Sequence, residues 1–393
     1  MADTVYDVTT WPGASVSPYT DIGKVINEII ADIKSKQTTQ NTRPGAVIYI
    51  PPGHYDLLTR VVVDISFLQI KGSGHGFMSN AIRDESSTGS WIEVQPGASH
   101  IRVKNTDGHN EAFLVQRSGS PSVVGRLNGV VFQDFCIDGV TSSKPYTPGN
   151  SKTGISVQSD NDSFRFEGMG FVYLEHAMVV RGADAASFTN NFIAECGSCI
   201  ELTGASQVAK ITNKYLISAW AGYSVFAENA EGMLISGNTI LWACNITLTN
   251  SNRCAVSANK LLSNFPSMVS LSNGSSGNLV SGNHFRRVYG DGTSTRFDDL
   301  YGLVRISGDD NAVTGNQFSF SVPAANITPS GADPTIVLVA GGARNYLATN
   351  NITANLGVKV VLDASSTATK ILYSAASSQL QAYTTDYSLV ATP

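Results

Sequence analysis

The sequence predicts an all-β protein: a parallel β-helix, or solenoid, closed at its N-terminal end by one capping α-helix. Three observations lead there. Charged residues are 15% of the 393-residue chain, against about 25% in ordinary globular domains. Gly, Ser, Thr and Asn, the residues of short strands and turns, are abundant. Third, a short motif ending in Asn, any residue and an apolar residue recurs down the chain.

The N-terminal cap is placed at about residues 1–45. Within it, "TDIGKVINEIIADIKSKQ" repeats Ile22, Val25/Ile26, Ile29/Ile30 and Ile33 at helical spacing, with Thr20 as the N-cap. "GAVIYIPPGHYDL" reads as an apolar strand stopped by Pro51-Pro52-Gly53, and "RVVVDISFLQIKGSG" as two more strands. Coils follow to about residue 370. Their Asn-x-apolar cores begin at Asn190, Asn213, Asn238, Asn259, Asn283, Asn316 and Asn350, in steps of 23, 25, 21, 24, 33 and 34. Met169-Gly170-Phe171 and Gln133-Asp134-Phe135 fit the same frame without the Asn.

This period is too short for propeller blades or helical-pair repeats, and the leucine-rich frame is absent. It suits coils of three short strands stacked about 4.8 Å apart. Asn tolerates the left-handed geometry of a tight corner, and stacked amides can bond from coil to coil. An amphipathic helix would cover the open end of such a stack. The long steps mark insertions at 138–154, 286–302 and 318–335. Residues 371–393 form a polar, strand-like tail. The whole, 1–393, is expected to be one β-helix domain.

Net charge is −5 without a basic block, which argues against nucleic acid and anionic membranes as partners. No apolar run reaches transmembrane length, and no signal peptide is visible. Five cysteines include Cys196-x-x-Cys199, with no second pair to complete a zinc site, so they are expected to be small core residues. No metal and no cofactor is expected.

A ladder of side chains suits an extended polysaccharide, and glycosidic cleavage needs two carboxyl groups. Candidates are Asp160 and Asp162, Asp298-Asp299, Asp309-Asp310, and the pair Asp184 and Glu195. "GDDN" at 308–311 reads as a turn. Gly74-His75-Gly76 with a DD pair is similar to the pectin-cleaving polygalacturonases, but the order of motifs differs, and the glycines more simply make a turn. Asp184 and Glu195 belong to one coil and hold positions the repeat does not require. On spacing alone, both ordinary surface acids and a pair facing a common groove remain open.

"GMGFVYLEHAMVVRGADA" and "IAECGSCIELTG", with "AVIYIPPGHYDLL", "GASHIRV", "DDLYGLVRISGD" and "PAANITPSGADPT", resemble the inulin fructotransferases, glycoside hydrolase family 91. The resemblance spans essentially the whole chain. It implies a right-handed parallel β-helix assembled as a homotrimer, with active sites at subunit interfaces, in a secreted bacterial protein. It implies lyase-type release of a cyclic difructose anhydride from inulin or fructo-oligosaccharides, without metal or cofactor. The family's catalytic Asp and Glu fall on Asp184 and Glu195, read as base and acid; Arg181 and Gln207 are expected substrate contacts. "LISAWAGYSVFAENAEG" favours difructose anhydride I over III as product. The alternatives are a difructose anhydride hydrolase on the same scaffold and a non-catalytic carbohydrate-binding module.

Overall fold

A computed structural model describes residues 5–36, 45–77, 97–117, 126–140, 149–218, 222–242, 245–263, 267–287, 302–320, 335–354, 358–372, 380–383 and 388–389. The chain divides into two compact units, Met1–Thr203 with Ala209–Gly222, and Gly204–Val208 with Tyr223–Pro393.

In the first unit three parallel sheets wrap one core. One complete coil runs through Arg165–Glu167 in the first sheet, Gly170–Val172 in the second and His176–Arg181 in the third. The next coil returns 22 residues later on all three faces, pairing Phe166 with Phe188, Phe171 with Ile193 and Met178 with Ile200. Parallel strands joined through such crossovers make a right-handed parallel β-helix. Strands this short send only one or two side chains inward. Those are large and fully buried, and Phe132, Phe166 and Phe188 stack with centroids 5.7 and 4.8 Å apart. Stacked rings at this spacing match the coil repeat, so each coil adds the same apolar contact as the last.

The helix spans Ile22–Lys36 and buries the predicted stripe from Ile22 to Ile33. Its N-cap is Asp21 rather than Thr20: Oδ1 accepts from Lys24 N at 3.3 Å. The same carboxylate, nearly buried, accepts from Leu58 N and Thr59 N, both at 3.1 Å, and from Thr59 Oγ1 at 2.6 Å. Asp21 therefore ties the helix to the first coil as well as starting it. Gly23 has no room for a Cβ, which would run into Thr59 O. Val61–Val63 is the edge strand of its sheet. Asn27 pairs with it like another strand, taking Val62 N and donating to Arg60 O, both at 2.8 Å. This is the edge protection a solenoid end requires.

In the second unit the first-sheet strands Leu234–Ser236, Ala255–Ser257, Leu279–Ser281, Ala312–Thr314, Tyr346–Ala348 and Lys370–Leu372 pair in parallel. Asn238, Asn259, Asn283, Asn316 and Asn350 form a ladder at the corner that follows. In each link one Oδ1 accepts both the backbone N and the Nδ2 of the Asn one coil earlier; for Asn259 and Asn283 both bonds are 2.9 Å. A second ladder, Asn278, Asn311 and Asn345, occupies the corner before the same sheet. It was legible as Asn-x4-Asn in "NLVSGN", "NAVTGN" and "NYLATN".

The repeat frame anchored on Asn190 and Asn213 is one residue early. Those two are left-handed corner residues, φ 55 and 53, as are Gly282 and Gly315 at φ 62 and 65. The amide that bonds between coils is that of Asn191, which accepts from Met169 N at 2.9 Å and donates to Phe166 O at 3.0 Å. Lys214 takes the corresponding place beside Asn213. Burial pushes its ammonium well below the usual lysine range, and Nζ lies 5.9 Å over the Phe188 ring. In the tail, Leu380–Tyr383 and Ser388–Leu389 are strands, as expected.

Candidate active site

Asp184 ends a two-residue corner strand, Ala183–Asp184, between the third and first sheets. It stacks in parallel on Asn161–Asp162, which stacks on Leu127–Asn128. Register makes Asp162 and Asp184 direct partners. The corner needs left-handed residues on both sides, Gly182 at φ 54 and Ala185 at φ 51. Gly182 is also required for space, because a Cβ there would meet the Asp160 carboxylate at 2.5 Å. The Asp184 side chain is 33% exposed, and its Oδ2 accepts from Arg126 Nη2 at 2.7 Å.

Glu195 lies in Phe192–Cys196, the second-sheet strand of the same coil. There the pairing with Tyr215–Ser218 slips: Ala194 pairs with Ile217 but Cys196 with Ser218, so Glu195 is an extra, bulged residue. Its φ of 51 is left-handed. A bulge with a non-glycine residue in this region is a feature found preferentially beside functional sites. Because it is an insertion, Glu195 has no counterpart one coil on; Ser218 is the partner of Cys196 instead.

Within one coil the two acids stand at different corners. Glu195 sits just before Ser198, where the third sheet begins, and Asp184 just after Arg181, where the third sheet ends. A six-residue strand separates these ends, roughly 20 Å at about 3.3 Å per residue. Carboxyl pairs that cleave a glycosidic bond stand about 5–9.5 Å apart. Within one chain, Asp184 and Glu195 are on opposite corners of the third sheet.

Of the other expected residues, Arg181 is exposed three residues before Asp184 and ends the strand His176–Arg181, opposite Thr203. Gln207 is exposed in the second unit, its backbone bridged to Glu231. Asp309 and Asp310 make a surface corner paired with Arg344 Nη2 at 3.3 and 2.7 Å, in keeping with the turn. Asp298-Asp299 and Cys244 lie outside the described residues. His75 packs against Phe77 and Phe192. Cys136, Cys196, Cys199 and Cys254 are free and buried, and burial raises their thiols above the usual range. No cluster of three metal-ligating side chains occurs among the described residues.

Two groups were not visible in the sequence. Arg126 lies 58 residues before Asp184 and ahead of the first core of the repeat frame, at Gln133. His176 Nδ1 meets Glu201 Oε2 at 2.5 Å, and that bond to the carboxylate raises the imidazole above its ordinary value against opposing burial. His176 pairs with Ser198, so it stands at the Glu195 end of the third sheet.

The stacked coils and their polar corners define a β-helical protein, and a tailspike protein of 15% identity and TM-score 0.63, covering 98% of this chain and 68% of its own, shares that fold. A family described as the β-helix repeat of inulin fructotransferase matches residues 258–393, and one described as periplasmic copper-binding protein NosD matches 140–298. An inulin fructotransferase (DFA-I-forming) of Arthrobacter globiformis is 75% identical over 393 residues, the full length of both chains. A DFA-IIIase of Arthrobacter chlorophenolicus A6, solved without its lid, is 43% identical with TM-score 0.88 over 100% of both chains. The same enzyme in complex with GF2 is 42% identical with TM-score 0.89, over 100% of this chain and 99% of that one. The chain belongs to the inulin fructotransferase family.

Proposed function

We propose that this protein depolymerises inulin, a β-2,1-fructan, releasing the terminal difructose unit as difructose anhydride I. What carries this is the 75% identity to a DFA-I-forming enzyme across the full length of both chains. A hydroxyl of the terminal fructosyl attacks the anomeric carbon of its neighbour and displaces the remaining chain with inversion. Asp184, ion-paired to Arg126, takes the hydroxyl proton; Glu195 gives a proton to the leaving oxygen. The nucleophile belongs to the same molecule, so its effective concentration is high, and a dry site keeps water from competing. Arg181 and Gln207 contact fructosyl units. A polymeric substrate is met outside the cell, which fits a secreted bacterial enzyme.

The separation of the acids along the third sheet bears on assembly. We infer that the working pair forms in a homotrimer, Asp184 of one copy facing Glu195 of the next. Such an interface also supplies the dry environment. The experiment is incubation with inulin and NMR of the products. Difructose anhydride I with shortened fructan is expected. Abundant free fructose, difructose anhydride III, or rapid opening of purified anhydride to a linear disaccharide would overturn the proposal, the last in favour of a hydrolase. Binding without product would leave only a carbohydrate-binding module.

A further inference from the structure

We propose that Arg126 is the positioning residue of Asp184, pinning one carboxylate oxygen so that the other faces the attacking hydroxyl. This rests on the role given to Asp184 above. Asp162 and Asp184 occupy neighbouring rungs of one corner ladder, where backbones are about 4.8 Å apart and like charges repel. Arg126 comes from the rung below, next to Leu127–Asn128, and reaches both: Nη2 to Asp184 Oδ2 at 2.7 Å and Nη1 to Asp162 Oδ2 at 3.6 Å. Its Nε is buried and makes no hydrogen bond to the described residues. The guanidinium is therefore committed through its two outer nitrogens to the two acids.

The support beneath it is also fixed. Arg117 Nη1 donates to Arg126 O at 3.0 Å, and Arg117 N donates to Ser159 Oγ at 3.0 Å. On Asp184, Oδ1 accepts no hydrogen bond from the described residues. A carboxylate held at one oxygen by a planar donor cannot turn freely, and its open oxygen keeps one direction. For a base that must meet one hydroxyl of a flexible furanose, that constraint is the orientational part of catalysis. A lysine could supply the charge but not the two directed donors.

The test uses the full-length protein in its native assembly, with R126M and R126K assayed on inulin. R126M should lose about 10²-fold in kcat with KM within about threefold. R126K should fall between R126M and the parent, and guanidinium ion at non-denaturing concentration should restore part of the R126M rate. A purely structural brace would instead lower the unfolding midpoint and give no rescue, and that result, or a parent-like kcat in R126M, overturns the assignment. If R126M does not fold, R126K decides: an unchanged kcat at an unchanged unfolding midpoint also overturns it. D184N separates the two levels. A fully active D184N removes the acid pair itself, whereas an inactive D184N beside a fully active R126M removes only the role of Arg126.

Discussion

The Asn ladder of the second unit and the acid-bearing corners of the first solve the same problem, a tight turn between short strands, in opposite ways. In the ladder one residue type is used five times. Asn283, almost wholly buried, donates Nδ2 to Asn316 Oδ1 at 3.0 Å and to Val256 O at 2.8 Å, and accepts both bonds from Asn259. The side-chain oxygen and nitrogen of Asn283 are thus both matched by the neighbouring coils. At Asp184 two acids share one guanidinium, and one carboxylate oxygen takes no hydrogen bond from the described residues. At Glu195 an extra residue interrupts the ladder and stands in a left-handed conformation. The repeat builds stability; the departures from it are where chemistry can be placed.

The sharpest way to break this contrast is to remove the acids. D184N and E195Q should each lower kcat by about 10³-fold or more, with assembly unchanged by sedimentation. Mixed 1:1 within trimers, the two inactive chains should recover about a quarter of the parent activity, because a quarter of interfaces would then draw both native acids from different copies. No recovery on mixing would place the pair within one chain and sink the interface proposal.

The ladder should respond in stability rather than in rate. Asn283→Ala strands Asn259 N and Nδ2 and Val256 O in the core, which should cost about 2–4 kcal/mol in denaturant unfolding. Its kcat per folded molecule should not change. A smaller effect is expected of Asp162→Asn, which leaves Arg126 paired to Asp184 and should lower kcat less than about tenfold.

The smallest effect is a pH dependence. His176 has its value raised in the folded protein by Glu201, so it binds a proton more tightly folded than unfolded. The stabilisation is complete below the unfolded value, about 6.5, and is lost as pH rises through the raised folded value. The unfolding midpoint of Glu201→Gln should therefore fall below that of the parent at pH 6, with the gap closing on the alkaline side. A gap that widened with pH would refute the linkage.

The period, the apolar stripe from Ile22 to Ile33 and the Asn-rich corners were enough to determine a capped β-helix, because coil closure is a local constraint that every turn of the chain must meet. The same regularity marked Asp184 and Glu195 as residues no coil requires. Which asparagine bonds between coils was not determined. The left-handed position of Asn190 and the ladder position of Asn191 are adjacent, and both favour Asn. The cap slipped one residue for a similar reason: Thr20 and Asp21 are both good N-caps, and only Asp21 also meets the backbone of Leu58 and Thr59. Arg126 could be found only in three dimensions, since a contact across 58 residues leaves no local trace. Tertiary structure also decided that the acids of one coil stand at opposite ends of the third sheet. Eleven residues along a coil of 22 is half a circuit, so a short separation in sequence becomes the width of the molecule's face.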